Sequence, residues 1–451
     1  MSIELMPHQV AGVEFLKDCD SALLHWDMGT GKTYPAAQAA GDALEDGVCV
    51  WIGPAVSRRN AKREIEAIHG SRYTVKVIEK GADKIAGADF YILSYDLVNR
   101  DAVLEQLLGL TIDVLVLDEV QYLKNHTSKR TGRILGHRGV ASRARHVWGL
   151  TGTPCPNNIS EIYPWVHSRH PEVIDSGNGK PMNFYQFRDT FCQTVETAWG
   201  DKIVGSKVEP SGALWMALDP VVDKIKKEAV LHDLPECRFA EIAVTGDKTV
   251  KHVRDLEEEY REQLDAVISG AAGAETFDMH LTTLKRATEL AKVGDAIEMI
   301  RQELEDGAME KVVIFASFID TIKALQEGLK DFTPRAIYGA ISAGARQDAI
   351  DAFQSMEDYR VMIGQTNAAS TAITLHANGA CQDVVFVSAD WVPANNAQAV
   401  ARVHRKGQRN AVLARFLHLE NSLDEAIQKT LMRKSRQLAT IYGEGVTHHA
   451  A

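Results

Sequence analysis

The residues with the clearest capacity for chemistry lie in a glycine-rich segment, WDMGTGKT, at residues 26–33. This segment follows an apolar run, SALLHW, and precedes a stretch with helical character. A glycine-rich turn that leads into a helix directs backbone N–H groups and the helix dipole toward a phosphate. We therefore expect Lys32 to reach the β- and γ-phosphates of a nucleotide and Thr33 to hold Mg²⁺. Trp26 departs from the pattern G-x-x-x-x-G-K-[ST], which has glycine there. The string alone is also compatible with a chance turn, and its flanking elements favour the phosphate loop.

A second reactive pattern is the apolar run IDVLVLDEV at 112–120, which ends in two adjacent carboxylates. In phosphate-transferring ATPases, such a strand end supplies one acid to Mg²⁺ and another to the attacking water. We expect Asp118 to bind the metal and Glu119 to orient and deprotonate the water. The alternative is an acidic strand end at a surface turn. The phosphate loop earlier in the same part of the chain favours the catalytic interpretation.

A third pattern lies in the second half of the chain, where Gln398, Arg402 and Arg405 follow one another at spacings of four and three. This spacing predicts that the three side chains share one face of a helix. Arginine offers a planar, permanently charged fork for phosphate. We expect these arginines, carried on a second lobe, to act as arginine fingers on a nucleotide held by the first lobe. The alternative is a solvated helix face.

The elements that must position these residues are short, β-branched-rich runs between amphipathic segments, a pattern typical of buried parallel strands in an α/β domain. Such runs are concentrated before residue 120 and return after residue 310. They predict an α/β fold of two lobes, each a mostly parallel sheet flanked by helices, with a helical insertion between them. The expected divisions are an N-terminal ATP-binding lobe at 1–245 with an irregular insertion at about 155–230, a charged helical connecting region at 246–308, and a C-terminal lobe at 309–451.

The composition excludes several classes of protein. Hydrophobic residues make up 45% and charged residues 25% of the 451 positions, which is ordinary for a globular protein and unlike a disordered tail or a collagen-like fibre. The six cysteines form no C-x-x-C pair, which argues against zinc and suits a reducing cytosol. No run approaches the ~18 apolar residues of a membrane helix. We expect a cytoplasmic protein without a membrane partner, nucleoid-associated if bacterial and in the host cytoplasm if phage-encoded.

The net charge is −11, which taken alone argues against a nucleic-acid partner. The distribution of charge along the chain, in contrast, favours a nucleic-acid partner. Residues 124–146 carry seven Lys or Arg and residues 398–418 carry five, and neither segment contains Asp or Glu. A solvated surface accounts for a single basic run. Two such runs beside the carboxylate and arginine patterns favour an anionic ligand.

The order of these patterns resembles the complete motif series of the superfamily-two helicase-like ATPases, specifically the SWI/SNF-type DNA translocase branch. The motifs span residues 5 to 408, and their order is more specific than any one of them. They are LMPHQVAGVEFL (5–16), DMGTGKT (27–33), WIGPAVSRRN (51–60), ILSYDLVNR (92–100), LDEVQYLKN (117–125), LTGTPCPNN (150–158), VVIFASF (312–318), GQTNAASTAITLHAN (364–378) and QAVARVHRKGQ (398–408).

The resemblance implies two RecA-like lobes and a role for each matching residue. Gln9 would read adenine, and Gly152 and Thr153 would couple the nucleotide site to DNA and to the other lobe. Arg402 and Arg405 would approach the γ-phosphate when the lobes close. The expected ATP-binding residues are Gln9, Met28, Gly29, Thr30, Gly31, Lys32 and Thr33. The positions expected along the DNA backbone are Ser94, Tyr95, Lys124, Asn125 and Thr366.

Three places depart from the family pattern. Gln121 replaces the histidine of D-E-A-H and Val120 replaces its alanine, so the coupling between motifs is expected to differ in detail. Ala369, Ser370 and Ala372 stand where glycines are common, which makes backbone contacts to phosphate there less certain. The segment KIKKEAVLHDLP supplies lysines and no arginine where the family has an Arg-rich stretch.

The resemblance implies an ATP- and Mg²⁺-dependent motor that moves along double-stranded DNA without strand separation. Because such a motor holds the phosphate backbone, sequence preference should be weak. We expect a near-bare, monomeric motor in DNA repair, recombination or replication, recruited by another protein if at all. One alternative is a strand-unwinding or annealing helicase. Another is a nucleotide-switched DNA-binding protein with little turnover, which Glu119, Arg402 and Arg405 disfavour.

Overall fold

The computed structural model describes residues 4–197, 200–262, 278–366 and 373–442. These residues divide into two compact units. The first contains Met1–Cys192 and Ser206–His232, and the second contains Gln193–Gly205 and Asp233–Ala451. Each unit has its own parallel sheet, so the predicted α/β fold with two parallel-sheet lobes is confirmed.

The strands are β1 (Ser21–Trp26), β2 (Val48–Gly53), β3 (Val75–Val77), β4 (Phe90–Ser94), β5 (Ile112–Asp118), β6 (Ala144–Thr151), β7 (Cys192–Thr197), β8 (Gly200–Ser206), β9 (Val222–Ile225), β10 (Cys237–Val244), β11 (Lys311–Ala316), β12 (Arg335–Ile337), β13 (Val361–Gln365), β14 (Cys381–Phe386) and β15 (Val412–Leu419).

The α-helices of the described residues are α1 (Pro7–Lys17), α2 (Thr33–Asp42), α3 (Arg58–His69), α4 (Tyr95–Val98), α5 (Asp101–Leu108), α6 (Lys129–Leu135), α7 (Tyr163–Arg169), α8 (Phe184–Phe191), α9 (Val208–Ala217), α10 (Lys227–Val230), α11 (Val250–Glu259), α12 (Asp278–Ala291), α13 (Val293–Glu305), α14 (Ile319–Gly328), α15 (Ala343–Ser355), α16 (Pro393–Val400) and α17 (Leu423–Ile441). Within the described ranges, none of these helices is long and apolar enough to cross a membrane.

The first unit is built on a seven-stranded sheet in the order β3-β4-β2-β5-β6-β1-β9. Strands β1, β2, β4 and β5 are buried along almost their whole length, as their continuous apolar runs predict for a parallel sheet covered on both faces. All pairings in the sheet are parallel. The carboxyl ends of β1, β5 and β6 therefore lie at one edge of the sheet, where ligands of open α/β folds bind.

The second unit is built on a six-stranded sheet in the order β10-β15-β14-β11-β13-β12, again with parallel pairings. Helix α13 packs on this sheet, and its residues Ala296, Ile300 and Leu304 share a buried core with Ile314 of β11. Strands β7 and β8 form a separate two-stranded sheet.

The division between the units differs from the predicted one. Strand β10 was assigned to the first lobe, but all eight of its residues pair with β15 in the second sheet. The chain therefore passes into the second unit after His232, not at 245. The predicted connecting region, 246–308, is also part of the second unit, because α13 completes its core. Both differences come from long-range pairing, which a local hydrophobic pattern does not reveal.

Candidate functional site

The predicted phosphate loop connects β1 to α2. Strand β1 ends at Trp26 and α2 begins at Thr33, so Thr33 lies at the helix N-terminus. Gly29 and Gly31 adopt φ values of 88° and 80°, a conformation that side-chain-bearing residues rarely take. The Lys32 ammonium group donates to the backbone carbonyls of Trp26 at 2.7 Å and Asp27 at 3.2 Å. The predicted lysine thus lies within the loop whose amides would bind phosphate.

The first turn of α1 braces this loop. The Gln9 amide group donates to the Gly31 carbonyl at 3.2 Å, and its oxygen accepts from the Met6 N–H at 2.9 Å. His8 Nε2 lies 3.0 Å from the Thr30 carbonyl oxygen. A Cβ at Gly31 would fall 2.5 Å from Gln9 Nε2, so this approach requires glycine. The predicted adenine-reading residue is therefore fixed directly against the phosphate loop.

The remaining predicted loop residues complete the same site. The Thr30 hydroxyl is buried and donates to the Asp27 carbonyl at 2.8 Å. Met28 lies against Gly152, the residue after β6, where an added Cβ would fall 3.1 Å from Met28 Cγ. The loop after β1 and the segment after β6 therefore meet at the sheet edge.

Trp26, the departure from the loop pattern, has a specific partner. Its buried indole N–H donates to the Asp223 carboxylate of β9 at 2.7 Å, and burial raises the pKa of Asp223. The ring packs against Gly12, where a Cβ would fall 2.6 Å from it. Asp27 likewise accepts from the Lys227 N–H at 3.1 Å. Trp26 and the lysine-containing segment after Asp223 both depart from the family pattern. These two bonds place them next to each other in the structure. Sequence reasoning missed Asp223, although a buried indole needs an acceptor.

The predicted acid pair lies at the end of β5, at the same edge of the sheet, with Asp118 as the last residue of the strand and Glu119 directly after it. Burial and, after it, the neighbouring Glu119 charge raise the pKa of Asp118 to about 7, although the Lys32 charge opposes the rise. The Ser57 hydroxyl donates to Asp118 Oδ2 at 3.4 Å. A cation beside this carboxylate would favour its charged form. The Asp118 carboxylate and the Thr33 hydroxyl offer the hard oxygen donors that Mg²⁺ prefers, so the residues present fit this metal.

Glu119 is held by a chain of hydrogen bonds. Its backbone is left-handed, with φ 55° and ψ 58°, a strained conformation for a residue with a side chain and one found at functional sites. Gln121 Nε2 donates to Glu119 Oε2 at 2.7 Å, and the Thr151 hydroxyl donates to Gln121 Oε1 at 2.7 Å. The Thr153 N–H in turn donates to the Thr151 hydroxyl at 2.9 Å. Gln121 therefore connects the acid pair to the predicted coupling motif after β6.

The residues predicted to line a DNA groove occupy different surroundings. Ser94 and Tyr95 are buried, and the Tyr95 hydroxyl donates to the Asp118 carbonyl at 2.9 Å. Lys124 pairs with Glu161 at 2.8 Å. In this arrangement Tyr95 supports the end of β5, and a DNA contact by Ser94, Tyr95 or Lys124 stays a prediction.

Asn125 and Thr366 are the other two residues predicted to line a DNA groove. Asn125 lies in a turn, and Thr366 lies directly after β13. Asn125 is exposed, and its side-chain oxygen accepts from the N–H and the hydroxyl of Thr127 at 3.0 and 2.8 Å. Thr366 is buried in the second unit, where its hydroxyl donates to the Ala316 carbonyl at 3.3 Å. The neighbouring Ala369, Ser370 and Ala372 lie outside the described residues.

The arginine motif of the second unit departs from the predicted helix. Helix α16 contains Gln398 but ends at Val400, so the prediction that Gln398, Arg402 and Arg405 share one helical face is wrong. Tertiary hydrogen bonds hold the segment in turns. The Arg402 carbonyl accepts from Leu375 N–H at 2.8 Å, and Arg405 donates to the Ile373 carbonyl at 3.3 Å.

Two known families match successive parts of the chain. Residues 57–253 match the SNF2-related domain, and residues 295–407 match the helicase conserved C-terminal domain. The chain therefore contains a SNF2-related domain and a helicase conserved C-terminal domain. The predicted family is therefore confirmed. The SNF2-related domain includes the acid pair and Gln121, and the helicase C-terminal domain includes α16 and both arginines.

Several known proteins are similar to this chain along nearly its whole length. The chain is 28% identical to the SWI/SNF-related matrix-associated actin-dependent regulator of chromatin subfamily A-like protein 1 of Drosophila melanogaster, covering 99% of this chain and 58% of the relative. The Xenopus tropicalis protein of the same name is 26% identical, with coverage of 96% and 44%. The chain thus spans about half the length of these relatives. A solved SWI2/SNF2 ATPase core of Sulfolobus solfataricus in complex with dsDNA is 20% identical, with a TM-score of 0.44 and coverage of 99% and 98%.

Proposed function

We propose that this SNF2-type chain is a DNA-dependent ATPase that uses ATP and Mg²⁺ to move along double-stranded DNA. The observation that carries the proposal is the common sheet edge of the first unit. The glycine-rich loop follows β1 and the acid pair lies at the end of β5, with only β6 between the two strands. The SNF2-related match supports the same activity.

Each residue of this edge has a defined task in the proposal. Lys32 and the loop amides bind the phosphates, and Gln9 fixes the loop against α1. Bound Mg²⁺ would neutralise phosphate charge and would be held by Asp118 and Thr33. Glu119, oriented by Gln121, accepts the proton of the attacking water. Arg402 and Arg405 stabilise charge on the transferred phosphoryl group.

Duplex DNA is the proposed track. A motor that grips phosphates without reading bases binds with strong salt dependence and weak sequence preference. Lys129, Arg138 and Arg143 of the basic segment are exposed and supply suitable charge. We place the motor in DNA repair, recombination or replication, and as a monomer, on the family resemblance alone.

The experiment that tests the proposal compares two substrates under ATP turnover. A motor that tracks along duplex DNA displaces a third strand from a triplex, whereas a strand-separating helicase unwinds a fork. We expect ATP-dependent triplex displacement and no fork unwinding, and both signals should be absent in Lys32→Ala. Fork unwinding without triplex displacement would replace the translocase with a helicase. ATP-dependent binding without either signal would indicate a nucleotide-switched binder.

A further inference from the structure

Two tyrosines and an arginine form a compact cluster beside the acid pair, and we call it the tyrosine–arginine stack. The rings of Tyr95 and Tyr122 are parallel, with 5.4 Å between centroids and 7° between planes. Arg130 of α6 lies against both, with its guanidinium carbon 5.8 and 5.7 Å from the two centroids. Tyr95 is buried, whereas Tyr122 is 39% exposed. The stack therefore reaches from the interior to the surface.

The stack is attached to the backbone of both acids. The Tyr95 hydroxyl donates to the Asp118 carbonyl at 2.9 Å, and the Tyr122 N–H donates to the Glu119 carbonyl at 3.0 Å. Burial raises the pKa of each tyrosine, so the Tyr95 hydroxyl remains a protonated donor at neutral pH. A displacement of either ring would act on the peptide units that aim the two carboxylates.

Arg130 is held by a partner that is easily replaced. Its guanidinium pairs with Asp96 at 2.5 Å, but the Asp96 side chain is 73% exposed. An ion pair with so exposed a partner contributes little to stability. Arg130 Nε is buried and has no hydrogen-bond acceptor among the described residues. A phosphate accepts bidentate, charge-assisted hydrogen bonds from arginine more strongly than a single exposed carboxylate oxygen does.

We propose that Arg130 senses the DNA backbone and that the tyrosine–arginine stack transmits its occupancy to the acid pair. A DNA phosphate replaces Asp96 on Arg130, the guanidinium shifts over the rings, and Tyr95 and Tyr122 reset the backbone of Asp118 and Glu119. Arg130 and Tyr95 are then positioning residues through which DNA stimulates ATP hydrolysis. The inference rests on the proposed duplex-dependent ATPase and names the contact that would make it DNA-dependent.

The same helix supplies a matched control. Arg133, in the same helix α6, forms the same kind of pair with Asp101, whose side chain is 78% exposed. Arg133 donates to the Val98 carbonyl at 3.1 Å, whereas Arg130 lies over the two tyrosine rings. The two pairs therefore share helix, charge and exposure and differ in their attachment to the acid pair.

The test measures ATPase rate against duplex concentration for wild type, Asp96→Asn and Asp101→Asn. Asp96→Asn frees Arg130, so we expect half-maximal stimulation at about threefold less duplex, in line with the loss of a weak surface ion pair. Its rate without DNA should be unchanged. Asp101→Asn should match wild type in both quantities. Equal half-saturation for Asp96→Asn and wild type would overturn the competition between Asp96 and phosphate.

A second arm separates signal transmission from DNA binding. Tyr95→Phe keeps the ring but removes the donor to Asp118, so we expect the maximal duplex-stimulated rate to fall severalfold at unchanged half-saturation. Arg130→Gln should raise the half-saturating concentration and reduce the salt dependence of DNA binding. Full stimulation of both variants by duplex would overturn the inference and leave the duplex-dependent ATPase standing. A wild-type protein that duplex does not stimulate would overturn both.

Discussion

Gln121 Nε2 donates a 2.7 Å hydrogen bond to Glu119 Oε2. The same amide accepts from the Thr151 hydroxyl through its oxygen, so one side chain uses both ends to join the acid pair to the segment after β6. Gln121 stands where the D-E-A-H pattern has histidine, and its amide supplies both the donor and the acceptor of this link. An amide keeps this donor and acceptor pattern at any pH near neutrality.

We expect Gln121→Ala to lower kcat by between about tenfold and a hundredfold with little change in the KM for ATP, because a misplaced general base slows the chemical step more than it weakens binding. Gln121→His restores a ring that can donate to Glu119 and should recover part of the rate. Steady-state ATPase kinetics with saturating duplex measure both values. Wild-type kcat in Gln121→Ala would show that Glu119 needs no such support.

The arginine motif gives a second kinetic prediction. Arg405→Ala should lower kcat by at least about a hundredfold, since arginines that act on transition-state charge contribute strongly to phosphoryl transfer, and it should raise the KM for ATP much less. Lys406→Ala is the control, because Lys406 is adjacent and exposed. A rise in KM at constant kcat would mean that Arg405 serves binding alone.

The bond between Trp26 and Asp223 predicts a difference between two similar substitutions. Trp26→Phe removes the indole N–H and leaves the Asp223 carboxylate without that donor, which should cost about 1–3 kcal/mol beyond the loss of ring contacts. Trp51 is an equally buried tryptophan whose Nε1 has no hydrogen-bond partner among the described residues. Trp51→Phe should therefore cost less. Denaturant unfolding of both variants measures the difference, and equal losses would contradict it.

His25 of β1 predicts a pH dependence of stability. Burial, together with the positive charges of Lys226, Lys32 and Lys224, lowers the pKa of His25 to about 3. Between pH 6.5 and 3 the unfolded chain binds a proton that the folded chain does not, so stability falls as pH falls through this window. At pH 5 this group alone should cost about 2 kcal/mol relative to pH 7.

The variant His25→Gln isolates this contribution. Its free energy of unfolding, followed by the fluorescence of the tryptophans in the first unit, should change less between pH 7 and pH 5 than that of wild type. If both proteins lost stability equally over this range, other titrating groups would account for the acid sensitivity.

Local patterns in the sequence predicted the parts of the site that neighbouring residues build. The glycine-rich loop and the two adjacent acids could be placed at strand ends because each belongs to a single strand and the turn after it, and buried parallel strands appear in the sequence as continuous apolar runs. The partners across the sheet were not found. Asp223 lies 197 positions from Trp26, and no local period marks such a pairing.

Two other differences have the same physical origin. The residues of β10 predict a strand, but they do not show which sheet the strand joins. That depends on pairing with β15, which lies far along the chain. The helix α16 ends before the arginines because tertiary hydrogen bonds, such as the one from Leu375 N–H to the Arg402 carbonyl, compete with continued helix. Spacing predicts a helical face only where the backbone remains helical.

The most direct test of the central claim is the steady-state ATPase rate with duplex DNA, single-stranded DNA, RNA or no nucleic acid. We predict strong stimulation by duplex, little by RNA, and no turnover in Lys32→Ala or Glu119→Gln, both of which should still bind DNA. Stimulation by single strands alone, or near-wild-type turnover in Glu119→Gln, would contradict it.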